Sequence, residues 1–320
     1  MHKRRLGKTS LYLSSVALGG HEYLADGRSR GFNEDMRLAT SPGHIAEGYG
    51  GVKRRKVLSK AYDLGINIFD VTIDSEKEAL GRNFSEIPPP YEVYVQSRPE
   101  GMCYSYDPNN EKMLDYALLR KEVQRILKLI RRETLDLLNI GLLAWSIDND
   151  RNYMARLSYN LGELKREGLI RYTVADSFSG ERLYLAMIDS GAFDAVNVDL
   201  NPGDACALPR VIPAARAAGN GFIAREAFLK GELFRMGSAC GIEDRDLLAR
   251  AAMKWLAQHQ PDCIILGVDT AEQLASNCDA LSETQFSDSE LAALARIQTS
   301  ADFLAYEPKK EQEFMETTSA

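Results

Sequence analysis

Between Leu64 and Gly81 the chain reads LGINIFDVTIDSEKEALG, an apolar run that Asp70 closes. Five of its first six residues are apolar or glycine. This is the profile of a strand buried on both faces that delivers one carboxylate to the rim where it stops. A helix follows with Glu76 and Glu78 in its first turn, where negative charge suits the positive end of the helix dipole. Strand, polar tip and helix make the repeating unit of an α/β barrel, and in such barrels the chemistry sits at the strand tips.

The alternation predicts the same unit along the rest of the chain. Residues 3–20 hold two short alternating runs around Gly7-Lys8, a hairpin signal, and then Val16-Ala17-Leu18 running into Gly19-Gly20. From His21 to Gly51 the chain is rich in Gly, Arg, Asp, Ser and Asn with little periodicity. A connection of about thirty such residues after a first strand is expected to hang over the barrel mouth as a lid. Apolar positions 57, 58, 61, 62 and 64 predict a helix stopped by Gly65. Further strands are predicted at Ile66–Asp70, Tyr91–Ser97, Leu135–Leu143, Ile170–Ala175, Ala195–Leu200, Gly221–Arg225 and Cys263–Val268, with helical stripes between them. A last capped helix covers Ser287 to Thr299. The whole is a single (β/α)8 TIM barrel of α/β class over residues 1–306, with an N-terminal hairpin, a lid at 21–51 and a polar tail at 307–320.

Composition narrows the setting. The 320 residues are 45% hydrophobic and 27% charged, and the net charge of −7 argues against nucleic acid or an anionic membrane as partner. Cys103, Cys206, Cys240, Cys263 and Cys278 form no CxxC; scattered thiols in odd number fit a reducing, cytoplasmic setting. No run approaches the ~18 apolar residues of a membrane span. The expected partner is a small molecule.

Several stretches, in order, resemble the aldo-keto reductases. They are RRLGKTSLYLSSVALGG at the start, LGINIFD with the ALG of 79–81, LDLLNIG at 135–141, LKREGLIRYTVADSFS at 164–179 and IILGVDTAEQLASN at 264–277. The resemblance implies a hairpin-plugged barrel with NADP(H) or NAD(H) laid across its C-terminal mouth. It also implies a tetrad of Asp, Tyr, Lys and His, in which Tyr protonates a carbonyl oxygen while the nicotinamide supplies hydride.

Position by position, the tetrad is mostly gone. Asp70 matches, but no tyrosine occurs from Asp63 to Pro90. The Lys place holds Arg98, which cannot shuttle a proton, and the His place holds Gly141. Among the cofactor positions, the Ser-Asn pair reads Asp176-Ser177, the Gln reads Asn197, and the aromatic beneath the nicotinamide reads Arg225. At the last helix N-terminus, Thr270, Gln273 and Asn277 remain compatible with the family's adenosine site. Asp269 beside them opposes a 2′-phosphate by ~1 kcal/mol or more.

The strand tips thus present His21, Asp70, Arg98, Asp176, Asn197, Asp199, Arg225 and Glu226. Asp70 and Arg98 are expected to pair at the mouth, in the places of the family's Asp and Lys. No HxH or DxD spacing joins Asp176, Asp199, Glu226 and His21 into a metal site. Three functions follow from these residues. The leading one is a degenerate, pseudoenzyme-like family member whose mouth pocket binds a ligand or runs other chemistry. The second is an NAD(P)-dependent oxidoreductase whose proton donor has moved to His21, His44 or Tyr49. The third is a non-catalytic interaction protein.

Overall fold

The computed structural model describes residues 1–20, 51–99, 102, 107 and 109–315. His21, His44, Tyr49, Cys103, Tyr104 and the expected lid lie outside the described residues.

The chain opens with β1 (Lys3–Arg5) and β2 (Tyr12–Ser14), an antiparallel pair in which Lys3 faces Ser14 and Arg5 faces Tyr12. The turn between them presses on the barrel floor. Gly7 has φ +49°, and a Cβ there would stand 2.3 Å from Gly221 N, so only glycine fits. Gly7 N and Phe222 N both donate to Asp262 Oδ2, which ties the hairpin to the start of a barrel strand. Leu6, Leu11 and Leu13 are fully buried and close the floor.

Eight parallel strands form a closed barrel: β3 (Val16–Gly19), β4 (Ile68–Val71), β5 (Tyr94–Ser97), β6 (Leu135–Leu142), β7 (Ile170–Ser177), β8 (Ala195–Asp199), β9 (Gly221–Arg225) and β10 (Cys263–Leu266). They lie in sequence order, with β10 returning to pair with β3. Strand alternation splits their side chains into two sets. Phe69, Val95, Leu138, Ile140, Val196 and Ala224 point outward into the large core beneath the helices. Ala17, Ile68, Tyr94, Leu137, Val174, Ala195, Ile223 and Cys263 point inward and stack on the hairpin leucines. The interior is therefore apolar up to this level, and the inward residues one step further along β4 to β9 are polar.

The helices are α1 (Val52–Asp63), α2 (Asp74–Glu86), α3 (Tyr116–Ile130), α4 (Trp145–Asn149), α5 (Tyr153–Arg166), α6 (Gly180–Asp189), α7 (Val211–Ala217), α8 (Glu232–Ala239), α9 (Arg245–Gln258), α10 (Ala271–Asp279), α11 (Asp288–Gln298) and α12 (Ala301–Met315). No helix among the described residues is long and apolar enough to cross a membrane. The α2–α3 contact holds a buried charge cluster: Asp74 pairs with Lys77 Nζ at 3.0 Å and with Arg125. Trp255 packs on His259 with ring centroids 4.3 Å apart, so these two serve packing, away from the mouth.

Helix α12 carries residues 307–315, the first part of the stretch that the sequence reads as a polar tail. Phe303, Tyr306, Lys310 and Phe314 recur at helical spacing, with Phe303 buried and Phe314 packed 6.3 Å from the Tyr184 ring. Pro308 and the surrounding Lys and Glu residues hide this stripe in the sequence. The helix needs Gly180 where it lands, because a Cβ there would stand 2.0 Å from Phe314 O.

Candidate functional site at the barrel mouth

The same alternation that lines the interior with Ile68, Tyr94, Leu137, Val174, Ala195 and Ile223 brings Asp70, Gln96, Asn139, Asp176, Asn197 and Arg225 inward one step higher. These six make a continuous polar layer on β4 through β9. Gln96, Asn139, Asp176 and Asn197 are all buried. Buried polar groups need partners, and the donors of Gln96, Asn139 and Arg225 find theirs on Asp70 and Asp176 within the layer.

Asp70 Oδ1 accepts a hydrogen bond from Gln96 Nε2 at 2.8 Å. Gln96 is its register partner on β5, which explains why the expected Asp70–Arg98 ion pair does not form. Arg98 stands two residues further along, past the strand end, with its guanidinium carbon 5.7 Å from the centroid of the Phe178 ring. Asp70 keeps some accessible surface but is ringed by protein. Burial pushes its carboxyl up to about 6, helped by the nearby Glu76 charge and opposed by the Gln96 hydrogen bond and by Arg98 and Arg225.

The dominant ion pairs are made by Arg225. Its Nη1 lies 2.8 Å from Asp176 Oδ2 and its Nε 2.5 Å from Asp199 Oδ1. Asp176 has no exposed side-chain surface, and Asn139 Nδ2 reaches the same Oδ2 at 3.4 Å. Burial raises the Asp176 carboxyl, and Arg225 and Arg98 work against that shift. The two carboxylates outweigh the burial of Arg225 and hold its guanidinium charged.

Gly141 explains itself in space. A Cβ at this position would stand 2.3 Å from Phe178 Cε2. The Phe178 ring, delivered by the turn after β7, therefore occupies the volume that a side chain on Gly141 would take. The guanidinium carbon of Arg225 lies 5.9 Å from the same ring centroid, so both mouth arginines lie against one aromatic.

The remaining sequence candidates are engaged locally. Ser177 Oγ donates to Gly180 O at 2.9 Å and accepts from Ser179 N, so it braces the β7–α6 turn. Thr270 and Gln273 form a capping box at α10: Gln273 N donates to Thr270 Oγ1, and Asp269 N donates to Gln273 Oε1. Asn277 is buried on the same helix. Sequence reasoning brought Asp70, Arg98, Asp176, Asn197, Asp199 and Arg225 to one mouth, and the structure places them there. It passed over Gln96, Asn139 and Phe178. The available signal was a lone amide in each of the buried strands YVQS and LDLLNIGL.

Comparison with known proteins agrees with this frame. The aldo/keto reductase family model matches residues 46–299. No curated protein sequence matches the chain. Among solved structures, the holo form of the aldo-keto reductase AKR11C1 from Bacillus halodurans superposes with TM-score 0.67 at 17% identity, over 93% of this chain and 96% of that one. The glycerol dehydrogenase AKR11B4 from Gluconobacter oxydans superposes with TM-score 0.65 at 18% identity, over 92% and 94%. With its hairpin-plugged parallel barrel and a family match across most of its length, the chain belongs to the aldo/keto reductase family.

Proposed function

We propose that this family member has given up carbonyl reduction by a Tyr/Lys/His relay and uses its C-terminal mouth to hold a small organic ligand. The observation that carries the reading is the Phe178 ring seated against Gly141, in the volume an imidazole on that strand would need. Arg98 in the Lys place supports it, because a guanidinium does not give up a proton near neutral pH.

The residues present do not fit NADP(H) or NAD(H) in the family's manner. The place of the stacking aromatic is taken by Arg225, which is locked between Asp176 and Asp199. Thr270 Oγ1 and Gln273 Oε1 are committed to their own cap, and the exposed Asp269 carboxylate repels a phosphate there. No step is therefore routed through a nicotinamide. The chemistry left at the mouth is that of a carboxyl group poised near neutrality beside two fixed guanidinium groups. The four described cysteines are free thiols, which supports the reducing cytoplasm as the working compartment.

The test is a titration of the purified protein with NADPH and NADH, followed by nicotinamide fluorescence. The expected result is no saturable change across the ~1 μM to ~1 mM range in which enzymes hold their substrates. Saturable binding in that range would overturn the reading.

A further inference from the structure

The polar layer below the mouth is unbalanced in one direction. Gln96 Oε1, Asn139 Oδ1, Asp176 Oδ1 and Asn197 Oδ1 are all buried, and none has a hydrogen-bond partner among the described residues. All four are acceptors, and they come from four neighbouring strands, β5 to β8. Their side chains are among the most enclosed in the protein: residue exposure is 1% for Gln96, 4% for Asn139, 0% for Asp176 and 3% for Asn197.

The orientation of two of the amides is fixed by chemistry. The Gln96 NH2 faces Asp70 and the Asn139 NH2 faces Asp176. An ionised carboxylate can only accept. Turning either amide over would set oxygen against oxygen, so the Gln96 and Asn139 carbonyls are held away from the carboxylates with no donor of their own. An unmet acceptor at this depth is costly, and four in one arc mark a place where donors are to be supplied from outside.

Charge sharpens the choice of donor. Among the inward strand residues, Asp70, Asp176 and Asp199 set three carboxylates against the guanidinium groups of Arg98 and Arg225. Arg225 is already bound by two of those carboxylates. An anion would meet an arc of oxygens. A neutral hydroxyl brings one donor and a lone pair that finds no partner. A primary ammonium brings three donors, no acceptor and one positive charge.

The geometry points to the polar layer as the seat of a primary ammonium group: the mouth ligand enters amine first, with its N–H donors on the Asn139, Gln96 and Asp176 oxygens. This assignment rests on the reading of the mouth as a ligand site and adds the chemical class of the ligand.

The experiment compares n-butylammonium, n-butanol and butyrate on the intact protein at pH 8, by chemical-shift titration. Asn139→Leu and Gln96→Leu are run alongside; each deletes one free acceptor together with the amide donor to Asp176 or Asp70, and neither residue contacts Arg225. The expected result is that the ammonium binds at least ~10-fold more tightly than the alcohol or the carboxylate, and that either variant weakens it by ~10-fold. The three-ligand comparison on the unaltered protein stands even if a variant misfolds. Equal or tighter binding of butanol or butyrate overturns the ammonium assignment while leaving the mouth as a ligand site. Ammonium binding untouched by both variants puts the amine elsewhere and also overturns it. If none of the three binds, the layer is a hydrated part of the core and the inference fails. Cofactor titration reads the parent proposal separately.

Discussion

At the residue scale, the mouth is governed by how each carboxylate is held. Asp70 is raised to about 6 by burial, whereas an unfolded Asp titrates near ~3.9. The native state therefore binds the extra proton between those values, so stability is full below about pH 4 and falls as pH rises through about 6. Asp70→Asn keeps an oxygen for the Gln96 amide and removes the buried charge. Its denaturation midpoint is expected to equal that of the parent near pH 4 and to exceed it above pH 7, by on the order of 1–3 kcal/mol in urea titrations. An equal difference at both pH values would contradict a shifted Asp70. Arg225→Met is expected to act in the opposite direction, because it strands the fully buried Asp176. Loss of one partner of such a pair costs about 3–5 kcal/mol. Adding Asp176→Asn should restore a large part of this, and a double variant as unstable as the single would show that the pair does not couple.

At the scale of elements, the turn after β7 carries most of what distinguishes this barrel. It places Phe178 against Gly141, braces itself through Ser177, and offers Gly180 to the end of α12. Gly141→Ala is therefore expected to be destabilising by ~1–3 kcal/mol through overpacking, and Phe178→Leu in the same chain should relieve much of the cost. Thermal unfolding of the two variants checks this, and a neutral Gly141→Ala would mean that the ring is not held there. The strands themselves were legible because an apolar run that stops at one charge, as at Asp70, has few readings in a chain of alternating strands and helices. Inward and outward faces were not legible. In a strand buried on both sides the residues around Gln96 and Asn139 are apolar in both directions, so period-2 patterning vanishes and the polar layer emerges only when the barrel closes. The partner of Asp70 was misread for the same reason: family position pointed to Arg98, while strand register put Gln96 nearer. Helix α12 was missed because its sparse stripe, Phe303, Tyr306, Lys310 and Phe314, includes a lysine and is interrupted by Pro308.

At the scale of the molecule, the hairpin and the closed parallel barrel with its helical shell are those of an aldo/keto reductase. General acid catalysis contributes ~10²–10⁴-fold to such reductions. On the function proposed above, a mouth with Arg98 and Gly141, and a sequence with no tyrosine from Asp63 to Pro90, offers no group to supply it in the family's way. The most direct measurement is steady-state turnover at saturating NADPH and NADH over a small panel of aldehydes and ketones, with Tyr49→Phe and His44→Ala run in parallel. The proposed loss of carbonyl reduction predicts rates at the background of the uncatalysed reaction for the parent and both variants. Robust turnover that disappears in either variant would contradict it by locating a relocated proton donor, and robust turnover in all three would show that reduction proceeds at this barrel by other residues.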